Sequence, residues 1–254
     1  MESFALVHTR NTHTTVVGLP RLNQLVELAI DAFFPRRCVG CGKVGSFLCL
    51  DCRRKLPRVF PPLCPQCGKP QASGILCPSC RQRQTQIDGV RSPFRFEEVL
   101  RQAIHQLKYH NLRAISPCLA QLLADYLHSN PLPGEAIIPV PLHPRRLRER
   151  GYNQSGLLAR ELSKLTNLPL IQDCLIRIKE AQPQVRASSA QERLNNVASA
   201  FLCQDNGVDG KQIILIDDVC TSGATLESCA SALKNKGATS VWGLTLAREI
   251  KGGG

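Results

Sequence analysis

The sequence predicts an α/β fold, a mostly parallel sheet flanked by helices, with a small cysteine-rich module in front of it. Three observations predict it. Apolar stretches too continuous for half-exposed strands alternate with helical patterns across residues 88–250. The most apolar of them, Ile213-Ile-Leu-Ile216, ends in Asp217-Asp218 and passes into a small, hydroxyl-rich loop. Open α/β sheets place their ligand crevice outside such a strand end. Finally, four Cys-x-x-Cys pairs crowd into residues 38–80.

Taken in order, residues 1–20 mix Thr, His and Asn with apolar residues and are expected to be poorly ordered. Residues 21–34 carry Leu22, Leu25, Val26, Leu28, Ala29, Ala32 and Phe33 at spacings that suit a short helix. Residues 35–83 contain the pairs Cys38/Cys41, Cys49/Cys52, Cys64/Cys67 and Cys77/Cys80. A Cys-x-x-Cys knuckle turns tightly enough for both thiolates to reach one ion, and two knuckles complete a closed tetrahedral zinc site. Eight ligands therefore predict a double zinc ribbon with two structural Zn²⁺. Pairing neighbouring knuckles is the simplest topology, and an interleaved pairing stays open.

A disulfide framework is the rival reading. The chain opens Met-Glu-Ser-Phe-Ala-Leu-Val-His, without a basic segment followed by a long apolar one, so a cytoplasmic location with reduced thiols is expected. No apolar run approaches the roughly 20 residues that span a membrane. Cys118, Cys174, Cys203, Cys220 and Cys229 have no partner spacing and are expected to pack as small apolar residues.

The net charge of +12 is concentrated in this module, where residues 35–83 hold ten basic residues against one acid, Asp51. Two four-thiolate zinc centres of charge −2 each leave it at about +5. Such a surface either attracts nucleic-acid phosphates or shields the zinc centres. Phe47 and Phe60 are its only aromatic residues, too few to argue sequence-specific readout.

In the larger domain, Val90–Phe96 reads as a strand, Glu98–Lys108 and Ala114–His128 as helices, and Ala136–Val140 as a buried strand. Pro141 to Pro144 and the arginines 145, 146, 148 and 150 precede a helix from Gln154 to Leu165. Strands at 174–178, 200–202 and 240–247 are expected to complete the parallel sheet around Ile213–Ile216, with a helix opening at Thr225.

The chemistry of Asp217 to Thr225 follows from its residue types. Backbone N–H groups at a helix N-terminus, beside hydroxyls, favour an oxyanion. Adjacent carboxylates repel phosphate but accept hydrogen bonds from a diol or hold a divalent metal. Phosphate beside diol points to a ribose phosphate. At all thirteen positions Ile213–Thr225 resembles the 5-phosphoribosyl 1-diphosphate motif of type I phosphoribosyltransferases. The resemblance implies that Asp217 and Asp218 hold the ribose hydroxyls, and that Thr221, Ser222, Gly223, Ala224 and Thr225 hold the 5′-phosphate.

A second stretch narrows the family: Pro139-Val-Pro-Leu-His-Pro-Arg-Arg-Leu-Arg-Glu-Arg-Gly-Tyr-Asn-Gln154, with the ribbons before it and Arg193-Leu-Asn-Asn-Val-Ala-Ser-Ala-Phe201 after it. From about Ala32 to Arg248 the chain resembles the ComF/GntX group of competence-associated proteins. Ala181 and Arg186 depart from that pattern, where Thr and Gly are common. The resemblance implies phosphoribosyl diphosphate as ligand, Mg²⁺ arriving with it, and a link to DNA uptake in natural transformation. Phosphoribosyl transfer breaks the bond from C1 to diphosphate through an oxocarbenium-like sugar, so the protein must position the sugar and neutralise the leaving group. Arg145, Arg146 and Arg150, with Lys108, are the candidates for the diphosphate, and Asp217, Asp218 and Arg150 are the expected catalytic residues. Gln184 and Arg193 are candidates for a closing loop, and His143 for an acid, a base or a turn residue. Two uses of the site stay open: transfer to an acceptor, or a DNA-processing role in which it senses a ligand or cradles single-stranded DNA phosphate.

Overall fold

The computed structural model of the chain describes residues 35–178 and 200–250. The expectations for residues 1–20 and 21–34, and for Ala181, Gln184, Arg186 and Arg193, lie outside them. All elements below belong to the unit Arg37–Gly254.

The cysteine-rich segment is built twice on one plan. A knuckle closed by Gly42 N–H to Cys38 O (2.8 Å) recurs as Gly68 N–H to Cys64 O (2.9 Å). Each is followed by a short helix entered from a cysteine: α1 (Leu50–Arg54) from Cys49 and α2 (Pro78–Arg81) from Cys77.

The sheet that follows is parallel throughout. Its order is β1 (Gly89–Arg91), β7 (Ser240–Arg248), β6 (Gln212–Cys220), β3 (Ala136–Pro139), with β2 (Phe94–Arg95) also on β7. The expected single strand Val90–Phe96 is broken in two. Pro93 has no N–H to give the ladder, and Ser92 instead bonds Thr245 side chain to side chain at 2.6 Å.

Strand parity distributes the core. Ile214 and Ile216 join one apolar cluster with α3 (Glu98–Tyr109), α4 (Ser116–Ser129) and α6 (Gln154–Thr166), whereas Ile213 and Leu215 join another with α7 (Ala224–Lys234). On α3 the residues Leu100, Ala103, Ile104 and Leu107 repeat at helical spacing and are fully buried. Each such leucine or isoleucine contributes about 1.5–3 kcal/mol by leaving water.

Segments 174–178 and 200–202 do not enter this sheet. They form β4 (Leu175–Arg177) and β5 (Phe201–Cys203), paired antiparallel with each other. Phe201 and Cys203 are buried while Leu202 is 45% exposed, so β5 covers the α7 side with one face only; a central parallel strand is buried on both. The stretch with arginines 145–150, to which the sequence assigned no element, folds as α5 (Pro144–Arg150), capped by His143, whose Nδ1 accepts from Arg145 N–H at 3.2 Å. His143 is thus a cap residue.

Candidate functional site

Asp217 and Asp218 lie near the C-terminal end of β6. Asp218 keeps the parity of Ile214 and Ile216, so it faces the helices that pack there. From the last turn of α3, Lys108 pairs with its Oδ2, and Asp218 is only 3% exposed. Asp217 Oδ1 accepts from Ser155 Oγ at 2.7 Å and from Asp218 N–H at 2.9 Å. Burial pushes the Asp217 carboxyl up to about 7; the neighbouring Asp218 charge adds to the rise and the Ser155 hydroxyl opposes it.

Ser155 is placed by the N-terminus of α6. Asn153 caps that helix, its Oδ1 accepting from Ser155 N–H at 3.1 Å, while its Nδ2 donates to Val140 O at 3.0 Å. One side chain thereby joins the end of β3 to the helix that positions Asp217. Tyr152, just before it, donates its hydroxyl to Leu107 O, tying the same turn to α3.

Beside the acids opens a cleft of about 440 Å³ lined by Lys108, Tyr109, Asn111, Arg146, Glu149, Arg150 and Tyr152. Arg150 bonds Gln154 and lies over the Tyr109 ring, 5.4 Å from its centroid; Arg113 lies over Tyr152 at 4.3 Å. Two of the three arginines proposed from sequence reach this cleft. Arg145 does not line it, since it turns to Glu149 one helical turn on, at 2.9 Å.

On the other flank of the acids runs the loop Thr221–Gly223. Gly223 has φ +82°, a left-handed turn that opens α7, and Ser222 Oγ accepts from Ala224 N–H at 3.3 Å. Thr221, Ser222 and Ala224 are exposed, so the turn at the head of α7 is open to solvent. Cys220 beneath the loop is buried, as packing predicted.

The eight ribbon cysteines gather as two sets of neighbours, Cys38/Cys41/Cys49/Cys52 and Cys64/Cys67/Cys77/Cys80, the sulfurs of each within 4.8 Å of one another. Interleaved pairing is thereby excluded. A tetrahedron with zinc–sulfur bonds of about 2.3 Å requires sulfurs about 3.8 Å apart. Cys41 and Cys49 stand 3.7 Å apart and Cys67 and Cys77 3.8 Å. Burial raises the Cys38 thiol, but N–H groups of Cys49, Gly40 and Cys41 outweigh it and bring it down to about 6. Cys64 falls to about 6 in the same way, against burial, through Cys77, Cys67 and Gln66. Burial pushes Cys52 up to about 12, with the sulfurs of Cys38, Cys49 and Cys41 adding to it; a dication relieves that crowding. These residues fit structural zinc.

Ser155 and Asn111 were not singled out from sequence, and Tyr152 and Asn153 entered only as part of the family stretch 139–154. Asn153 followed two residues later by Ser155 is a legible helix start, but nothing in one dimension aims Ser155 at Asp217, 62 residues away. Among the described residues no helix is long and apolar enough to cross a membrane.

Comparison with known proteins agrees in both halves. The double zinc ribbon domain family matches residues 29–81 and the phosphoribosyl transferase domain family residues 149–252. Competence protein F of Haemophilus influenzae is 33% identical over 232 residues, covering 85% of this chain and 99% of its own. The DNA utilization protein YhgH of Escherichia coli (strain K12) is 32% identical over 209 residues, 80% of this chain and 91% of its own. Competence protein ComFC of Bacillus subtilis is 29% identical over 240 residues, 90% and 97% respectively. The chain belongs to the ComF family, in which a double zinc ribbon is joined to a phosphoribosyltransferase domain.

Proposed function

We infer that this protein binds 5-phosphoribosyl 1-diphosphate and acts in DNA uptake. The observation that carries the reading is the order of groups across the end of β6: an N–H and hydroxyl loop, then two carboxylates, then the Lys108, Arg146 and Arg150 cleft. A 5′-phosphate, a ribose diol and a diphosphate follow one another in the same order. Asp217 and Asp218 accept the 2′ and 3′ hydroxyls, Thr221 to Thr225 hold the 5′-phosphate, and the cationic cleft takes the leaving diphosphate. Mg²⁺ fits as an ion carried in by the substrate, because Lys108 and Ser155 already engage the acids and, among the described residues, only the cysteine clusters bring three or more ligand groups together. Bound, it supplies charge neutralisation of the diphosphate. The names of the relatives, competence and DNA utilization proteins, support the biological setting.

Calorimetry with Mg²⁺ and phosphoribosyl diphosphate tests the reading. Losing two charge-assisted acceptors, at about 1.5–3 kcal/mol each, weakens Asp217→Asn/Asp218→Asn by at least 100-fold. Wild-type binding no tighter than that of the double variant refutes it. Diphosphate release in a screen of bases, amines and ammonia separates a transferase from a ligand sensor.

A second reading, single-stranded DNA on the ribbons, is favoured by Phe60. It is 68% exposed in a groove of about 370 Å³ that Arg58, Arg95 and Glu97 also line, Glu97 lying 3.8 Å from Arg95 and Arg58 supplying the cation beside a stacking ring. Arg53, by contrast, is committed to Asp125. Binding that ignores salt, and survives Phe60→Ala with Arg54→Ala and Lys55→Ala, overturns this reading.

A further inference from the structure

The second knuckle is mounted on the edge of the sheet by three successive carbonyls. Arg91 Nη1 donates to Pro65 O at 2.9 Å, Val90 N–H to Gln66 O at 2.7 Å, and Arg248 Nη2 to Cys67 O at 2.5 Å. Gly68 packs so closely on Val90 that a Cβ there would stand 2.3 Å from the Val90 carbonyl oxygen. The first cluster is held differently, by apolar packing of Leu48 and Leu56 and by the Arg53–Asp125 pair.

Arg248 closes β7 with a buried guanidinium. It is 2% exposed, and its Nε has no hydrogen-bond partner among the described residues. A buried guanidinium without a counter-charge is strongly disfavoured. Its contact with the second cluster is through the Cys67 carbonyl, and with four thiolates and one Zn²⁺ that cluster carries −2, a charge that Arg91 and Arg248 together match. Arg91 also lies in the field of the Cys64 and Cys67 sulfurs.

The same Arg248 Nη2 reaches Cys220 Sγ at 3.3 Å, at the residue from which the Thr221–Gly223 loop departs. Behind the loop, Glu227 in the first turn of α7 accepts from Gln86 N–H at 2.6 Å and Ile87 N–H at 3.3 Å, on the segment that joins the second ribbon to β1. The loop is therefore tied to the Cys67 knuckle through Arg248 on one side and to the segment that follows the ribbon through Glu227 on the other.

We propose that Arg248 is a positioning residue, the counter-ion of the second zinc–thiolate centre, which it ties to the phosphate loop. Metal occupancy at Cys64, Cys67, Cys77 and Cys80 and sugar-phosphate binding at Thr221 to Thr225 then strengthen each other by one factor, because linkage between two sites is reciprocal. The second half rests on the phosphate-loop reading given above; the first does not.

The test uses the full-length two-zinc protein as wild type, Arg248→Met and Arg248→Lys. In cadmium-substituted protein, Arg248→Met moves the cadmium NMR resonance of the second cluster and leaves that of the first in place. Zinc release to a chelator becomes about 10-fold faster for one of the two ions only. Arg248→Lys restores most of the retention, but its single ammonium does not span the Cys67 carbonyl and the Cys220 sulfur. Affinity for phosphoribosyl diphosphate falls about 10-fold in Arg248→Met and by a similar factor in Cys80→Ser, which empties the second site. Release of both ions at wild-type rates, equal loss from both clusters, or a weakened phosphate affinity in Arg248→Met that Cys80→Ser does not share overturns the proposal. A wild type that binds no phosphoribosyl diphosphate refutes the functional reading, and the two metal measurements still decide whether Arg248 is the counter-ion.

Discussion

Replacing Asp217 by asparagine removes a carboxylate that the fold holds at a disadvantage. Its pKa is raised from 3.8 to about 7 by burial and by Asp218. The native state therefore binds more protons than the unfolded chain between those two values, and stability falls as pH rises through that window. At about 1.4 kcal/mol per tenfold, the ceiling on this penalty above pH 7 is about 4 kcal/mol. Because Asp218 shares the interaction, about 2–4 kcal/mol is expected. For a domain of this size that is a rise in Tm of about 5–10 °C for Asp217→Asn at pH 8. The gain shrinks as pH falls and vanishes below about 4, where both forms are neutral. Thermal denaturation of wild type and variant from pH 4 to 8 reads it directly. A variant less stable than wild type at pH 8, or a difference that ignores pH, refutes the reasoning. The same carboxylate must be ionised to accept two hydroxyl donors, so phosphoribosyl diphosphate affinity in the wild type should fall as pH drops below about 7.

Ser155→Ala deletes the hydrogen bond that favours ionised Asp217, so the pH midpoint of that binding moves upward while affinity at pH 8.5 changes little; calorimetry across pH checks it. Lys108→Met strands Asp218 in the core and costs about 3–5 kcal/mol in urea denaturation, of which Lys108→Met/Asp218→Asn recovers a large part; equal loss in both would show that packing, not charge, is responsible. Gly68→Ala sets a Cβ against the Val90 carbonyl in a backbone with φ +70°, so elemental analysis should find about one zinc per chain instead of two.

The cysteines show how far one dimension reaches. Spacing alone carried the eight ligands, because a knuckle is a local object whose two thiolates converge through a single turn. Choosing neighbours over interleaving required the fold, since it depends on where two separate knuckles meet. Asp217 and Asp218 were legible for a similar reason: a continuous apolar run ending in acids and a glycine turn is written within thirteen residues. Strand parity then placed Asp218 on the face of α3, a relation that periodicity suggests only when the helix covering that face is known.

Where sequence reading failed, long-range geometry had intervened. Segments 174–178 and 200–202 look like sheet strands by composition, yet they pair with each other over α7, while the free edge of β3 is taken by residues 169–171, Ile171 N–H donating to Ile137 O at 2.9 Å. Arg145 and Arg146 are adjacent in the chain, but a helix turns successive side chains by about 100°, so Arg146 lines the cleft and Arg145 meets Glu149. The knuckles and the strand-acid-loop run are local chemistry, written in short stretches of chain. Which distant groups those local units face came from the packing of the chain: Lys108 on Asp218, Ser155 on Asp217, and Arg248 between a zinc knuckle and Cys220 at the head of the Thr221–Gly223 loop. Contacts across 62, 110 or 181 residues depend on packing of the whole chain, which no local pattern encodes.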